Sequence, residues 1–341
     1  MSEKLINNPL DELNEAPKKP KRKKKERRFN FTEFFFGKEI FLPPCLLIVA
    51  MLMLIMFKIA IGFFPDKTGG YLGVVILLTV IFFIPAYLFY KFTRHGKMSM
   101  IARELKIKLP SVRHFFLMLF GAVLISIVIF FVNLLFRLRS GYSDGFYLYN
   151  SFFTERLPLP DTPFFPIVAF ALIPALCEEF MFRGIFHASY EKQGYLAAGI
   201  TTSLMYALIS LDWRTFVSHL ILGLFLTFVL YLTDSLLACA VINFLTKCFM
   251  LFFGTNLQSY VLSTSNRAVF IAVMIGGLLL SIAVFAFECA KVFKKSAKGE
   301  YTLPSIIITT PGDGVRAMLS NVSSFSMIVC VIFFIVALFI K

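Results

Sequence analysis

The run Ala171-Leu172-Ile173-Pro174-Ala175-Leu176-Cys177-Glu178-Glu179-Phe180-Met181-Phe182-Arg183-Gly184 puts two carboxylates and a guanidinium inside an apolar stretch covering 164–187. At the centre of a membrane helix each such group costs about 2.5–3.5 kcal/mol on insertion scales, and less toward an end. Helical spacing offers part of the compensation. Glu179 and Arg183 stand at i and i+4, share a face and can pair, and His187 continues that stripe by one more turn. Glu178 is rotated by about 100° from Glu179, so local pairing satisfies it less easily. A carboxylate held in a low-dielectric site is a candidate for a base that activates water. The alternative is that both glutamates anchor neighbouring helices through hydrogen bonds.

Outward from this run, the whole chain has the composition of a bilayer protein. Of its 341 residues 58% are hydrophobic, 16% aromatic and 16% charged, and the mean hydropathy is +0.79. A soluble protein carries about 25% charged and 45–50% apolar residues, so a soluble enzyme, a disordered chain and a nucleic-acid-binding domain are all excluded. The net charge of +14 does not restore the last of these, because most Lys and Arg lie between or before apolar runs. A bilayer core of ~30 Å needs about 20 apolar residues per helix. Candidate spans fall near 41–64, 71–90, 115–136, 164–187, 195–211, 216–233, 235–253, 268–290 and 323–340, with a tight polar turn at Asp234-Ser235. The predicted fold is an all-α polytopic transmembrane helix bundle of about 8–9 spans.

Residues 1–38 form a basic tail with the run Lys18-Lys19-Pro20-Lys21-Arg22-Lys23-Lys24-Lys25-Glu26-Arg27-Arg28. Such a run is attracted to anionic headgroups at about 1 kcal/mol per basic residue; a nucleic-acid arm is disfavoured because the run abuts a span. The tail, the stretch 91–114 and the stretch 291–316 gather the cations, and with nine spans all three lie on one side, which the positive-inside rule makes cytoplasmic. His95 and His114 fall in the second stretch and read as solvated. No cleavable signal peptide is expected. The six cysteines lie inside apolar segments without CxxC spacing, as buried inert thiols do. The chain divides into the tail (1–38), N-terminal helices (39–162), a core (163–255) and C-terminal helices with a cytoplasmic loop (256–341).

Glu178-Glu179-Phe180-Met181-Phe182-Arg183-Gly184 resembles the EExxxR signature of the CPBP intramembrane proteases, which include the CAAX prenyl endopeptidases and the bacterial Abi, or bacteriocin-immunity, proteins. The likeness covers roughly 160–255. It implies a CAAX-protease-like core in an integral protein of a bacterial plasma membrane. It also implies a water activated by the first motif glutamate, a divalent, zinc-like metal, and a membrane-associated peptide or protein as substrate or partner alongside the lipid bilayer. Two further family motifs, FxxxH and HxxxN, complete a polar cavity.

Both motif histidines are replaced. The second motif falls on Tyr206-Ala207-Leu208-Ile209-Ser210, with Ser210 for the histidine. The third falls on Asn243-Phe244-Leu245-Thr246-Lys247, with Asn243 for the histidine and Lys247 for the asparagine. Imidazole is the commonest metal ligand, and a transition metal held by Glu178, Ser210 and Asn243 would be poorly bound. As substitutes, His187 lies about 13 Å along the axis from Glu178, and His219 lies near the outer start of the 216–233 span. Ser210 also comes out near the outer end of its span, whereas the carboxylates fall in the inner half of theirs. Lys247 in mid-span needs a partner and can pair with Glu178 where water or metal would sit. Two readings follow. In one, Glu178 activates water, Glu179 and Arg183 brace the helix, and Ser210 or Asn243 hydrogen-bonds the oxyanion. In the other, the same scaffold is catalytically silent, its polar centre is a clamp, and it binds a partner. A transporter with Glu178 as proton-coupling site is a third class, marked by paired broken helices.

Overall fold

The structure is a computed structural model that describes residues 38–60, 67–94, 105–140, 164–263, 265–304 and 311–339. The basic tail and His95 lie outside the described residues. A helix stands at each of the nine predicted places, and no strand occurs among the described residues. In chain order they are α1 (Lys38–Ala60), α2 (Lys67–Leu78, continued through a π-helical turn Thr79–Phe83 into Ile84–Arg94), α3 (Phe115–Ser140) and α4 (Phe164–Gln193). Next come α5 (Tyr195–Leu208), α6 (Trp213–Thr233), α7 (Leu236–Gly254) and the short α8 (Thr255–Ser263). The chain ends with α9 (Arg267–Ala297), α10 (Pro311–Val322) and α11 (Phe325–Phe339).

Six of these helices are long and apolar enough to cross a membrane, and a seventh span is counted if α10 and α11, bent by 54°, form one. This is an integral membrane helix bundle, with six to seven helices passing as spans among the described residues where about 8–9 were expected. The clearest difference is α5. The predicted span 195–211 is a helix of 14 residues, about 21 Å long at 1.5 Å per residue, and too short to cross alone. It starts after Gly194 at φ 108° and stops where Leu211 takes φ 51°. Asp212 then caps α6, its carboxylate accepting from the Arg214 N–H at 3.0 Å.

Helices α4 to α7 form the centre. Helix α3 packs behind α6 and α7, α9 packs on the outside of α3, and the terminal helices α1 and α11 pack on each other. Helices α5 and α6 approach closely through small residues, as membrane helices do where no hydrophobic effect drives association. A Cβ at Gly199 would stand 2.6 Å from Thr227 Cγ2, and one at Gly223 would stand 2.9 Å from Ser203 Cβ. Gly199→Ala is therefore expected to destabilise the protein by about 1–3 kcal/mol through overpacking. Thr227→Ser, which removes the clashing methyl, should recover most of the loss in the double variant, read as thermal melting in detergent.

The predicted turn at Asp234-Ser235 is present: Asp234 takes φ 48°, and Ser235 caps α7 by accepting from the Ala238 N–H at 3.3 Å. The basic stretch 91–114 is less solvated than expected. Its described part docks on this turn, with the Leu236 N–H donating to the Lys106 carbonyl at 3.0 Å and Ser235 Oγ to the Lys108 carbonyl at 2.6 Å. Lys106 reaches Glu191 at 2.8 Å, Lys108 reaches Asp234 at 2.6 Å, and Leu105 is buried. His114 is half-buried rather than solvated, because the start of α3 lies against the end of α9. All six cysteines are free thiols.

Candidate functional site: a buried cluster of paired charges

Helix α4 is irregular on both sides of its two glutamates. The α-helical segment Ile173–Glu179 lies between π-helical segments Ile167–Leu172 and Phe180–Phe186. Pro174 has no N–H to give the ladder, and the register shifts just before it, where the Ile173 N–H donates to the Val168 carbonyl five residues back. A π segment inside an α-helix often marks a functional site. Here it accompanies two consecutive carboxylates that both reach one neighbouring helix.

That neighbour is α7. Asn243 Nδ2 donates to Glu179 Oε1 at 2.8 Å and to Glu178 Oε2 at 3.2 Å, so a single amide bridges the pair. One turn further along α7, Lys247 Nζ lies 3.2 Å from Glu178 Oε1 and 3.1 Å from Oε2, straddling the carboxylate. Arg183 Nη1 donates to Glu179 Oε1 at 3.1 Å, the i and i+4 pairing that the sequence predicts. Glu178, Glu179, Arg183, Asn243 and Lys247 are each 3% exposed or less. With both carboxylates ionised, two negative and two positive charges balance, which is what allows such a group to be buried.

Helix α5 contributes a residue that the motif comparison passed over. The Tyr206 hydroxyl donates to Glu178 Oε2 at 2.9 Å, and the Arg183 guanidinium lies over the Tyr206 ring at 4.4 Å. Tyr206 occupies the aromatic position of the FxxxH pattern. The available signal was its hydroxyl, since a phenylalanine there could not donate. Ser210, assigned to the histidine position, is elsewhere: its hydroxyl donates to the carbonyls of Ala207 at 2.7 Å and Asp212 at 3.2 Å, closing the end of α5. It makes no hydrogen bond to Glu178 or Glu179.

Ser210 does lie at the end of its helix, away from the carboxylates, and α5 meets them through Tyr206 instead. Helix α4 runs on to Gln193, which sets Glu178 roughly 22 Å from the α4–α5 turn and Tyr206 roughly 16 Å from it by helix rise. Both therefore lie well away from that turn, and their side chains meet in the hydrogen bond between Tyr206 and Glu178. The His219 ring, in α6, lies tilted against the Tyr206 ring with 5.1 Å between centroids. Its Nδ1 lies 2.8 Å from the Thr215 carbonyl, so Nδ1 carries the proton and Nε2 is the other face of the ring. His187 packs on Tyr195 at 4.4 Å between ring centroids and makes no hydrogen bond to the carboxylates.

The groups around Glu178 are a poor metal cage. Lys247, the Asn243 amide nitrogen and the Tyr206 hydroxyl all direct hydrogens at the carboxylate oxygens, occupying the lone pairs that a cation would use. An ammonium carries no acceptor. Among the described residues no three His, Cys, Asp or Glu side chains converge. The zinc-like ion implied by the resemblance therefore does not fit the donor set present.

No curated protein and no solved structure gives a significant match to the chain. Residues 160–249, which include every side chain of the buried cluster, match the family model described as type II CAAX prenyl endopeptidase Rce1-like. With that match over α4 to α7, and the EExxxR residues within it, this part of the chain is similar to the CPBP, or CAAX protease, family.

Proposed function

We propose that this protein is a non-catalytic member of its family, in which the polar centre that would activate water serves as a structural clamp and the scaffold binds a membrane-associated peptide or protein without cleaving it. The observation that carries this reading is Lys247, whose ammonium lies within 3.2 Å of both Glu178 oxygens. A general base must be within reach of the water it deprotonates, and here the base is occupied by a fixed cation and two further donors. Neither Ser210, turned to its own backbone, nor Asn243, held between the two carboxylates, is placed to stabilise an oxyanion.

His219 favours a second reading, in which some hydrolytic capacity persists. Its ring lies against Tyr206, whose hydroxyl donates to Glu178, so an imidazole does reach the neighbourhood from a helix other than those carrying the family's motifs.

The two readings separate in liposomes that carry the full chain and a membrane-anchored reporter peptide. The expected result is no difference in cleavage between the wild type and Glu178→Ala, with no stoichiometric divalent metal in the purified protein. Cleavage that disappears on Glu178→Ala would establish the hydrolytic reading instead.

A further inference from the structure

On the face where lysines gather, between the start of α3 and the end of α9, lies a cavity of about 410 Å³, a volume in the range of small-ligand sites. Leu117 and Val292 form its apolar floor. Its walls are polar: Ser111 and His114 on the α3 side, Glu288, Lys291 and Lys295 on α9, and Glu300 and Tyr301 in the segment that follows.

Its depth follows from the side chains around it. Phe115 and Phe116 on α3 and Phe287 and Phe293 on α9 are exposed apolar rings within a turn or two of the cavity. Large rings facing outward in a membrane bundle face lipid, and on α9 the lysines Lys291, Lys294 and Lys295 interleave with the last of these rings, Lys291 lying over Phe287 at 4.3 Å. The cavity thus sits at the boundary between hydrocarbon and headgroups.

The charges on its walls divide unevenly. Glu288 is buried and is neutralised by Lys291, whose ammonium donates at 2.7 Å. Lys295 and Glu300 make no ion pair among the described residues, and the buried Tyr301 hydroxyl has no hydrogen-bond partner among them. Of the charged walls one cation and one anion remain, sharing the space with the Tyr301 hydroxyl and with Ser111 and His114. A solitary anionic ligand would leave Glu300 opposed, and a solitary cationic ligand would leave Lys295 opposed. A zwitterion satisfies both.

We propose that this cavity binds the headgroup of an amine-bearing phospholipid. The phosphate is held by the Lys295 ammonium and the Tyr301 hydroxyl, and the primary amine by the Glu300 carboxylate. The acyl chains lie along the outward apolar face of α9, where Leu279, Leu280 and Phe287 are exposed. This site is separate from the charge cluster of α4 and α7 and does not depend on whether that cluster is catalytic.

The test is native mass spectrometry of the full chain purified in detergent and challenged with phosphatidylethanolamine or phosphatidylglycerol, with inorganic phosphate or soluble phosphoethanolamine as competitor. Phosphatidylethanolamine should be retained about tenfold over phosphatidylglycerol, the effect of one charge-assisted contact. Lys295→Ala should reduce retention of both lipids, and Glu300→Gln should abolish the preference between them. Lys298→Ala, an exposed lysine on the same face but outside the cavity, should change neither. Tyr301→Phe reads the phosphate contact if Lys295→Ala fails to fold. Equal retention by the wild type and these cavity variants, or phosphatidylglycerol retained as well as phosphatidylethanolamine, would overturn the proposal. Displacement of the lipid by inorganic phosphate or phosphoethanolamine would overturn the lipid assignment in favour of a free phosphate solute.

Discussion

Lys247→Ala is expected to destabilise the folded protein by about 3–5 kcal/mol, the cost of leaving one partner of a buried ion pair uncompensated. The Lys247 and Glu178 side chains are each about 2% exposed, so water cannot replace the lost ammonium without opening the bundle. Tyr206 and Asn243 would still donate to Glu178, but two neutral donors do not balance a full charge in that setting. The loss should appear as a marked drop in the thermal melting temperature in detergent. The double variant Glu178→Gln with Lys247→Met removes both charges together and should recover most of it, because replacing a complete buried pair by neutral groups of similar volume is often near neutral. The resulting coupling energy separates the clamp from a lysine that snorkels to the headgroups: in the latter case Lys247→Ala would cost well under about 1 kcal/mol and the two substitutions would add.

A comparable loss is expected at Arg183. Arg183→Ala leaves Glu179 with only the Asn243 amide, again about 3–5 kcal/mol for a buried charge without its partner, and it also removes the guanidinium from the Tyr206 ring, worth about 0.5–2 kcal/mol. Arg183→Lys should recover only a part. A lysine is a point charge on a flexible stem, whereas the planar guanidinium both donates to Glu179 Oε1 and lies flat over the ring at 4.4 Å. The measurement is again thermal melting, now with the alanine, lysine and wild-type proteins side by side. Equal stability of the lysine and arginine forms would show that the stacking on Tyr206 contributes nothing. If the protein is non-catalytic, neither variant alters reporter cleavage, so the stability readout carries the result alone.

Both substitutions act on a site that the sequence revealed unevenly. The pairing of Glu179 with Arg183 was readable because it is local: four residues on a helix fix the geometry whatever surrounds it. The convergence of Asn243 and Lys247 on the same centre was readable only through the family resemblance. The role of Tyr206 was not, since a tyrosine on an apolar helix face looks the same whether its hydroxyl meets a carboxylate or a backbone carbonyl. Ser210 went the other way. It holds the position where the pattern has a histidine, yet α5 ends at Leu208 and the serine turns back to cap its own backbone. His219, from a helix outside the motifs, packs on Tyr206, whereas Ser210 hydrogen-bonds the backbone at the end of its own helix.

Composition and hydropathy by themselves determined that this is an integral helical membrane protein, and helical periodicity determined that Glu179 and Arg183 are neighbours. These depend on transfer free energy and on the repeat of a single helix, neither of which needs a fold. Tertiary packing alone decided that α5 is a short helix and not a full span, that Tyr206 is the third donor to Glu178, and that residues 105–108 dock on the Asp234 turn. It also decided that a cavity opens between α3 and α9, since each of these depends on which helix faces rest against one another and at what depth. That choice is made by close packing among side chains distant in the chain.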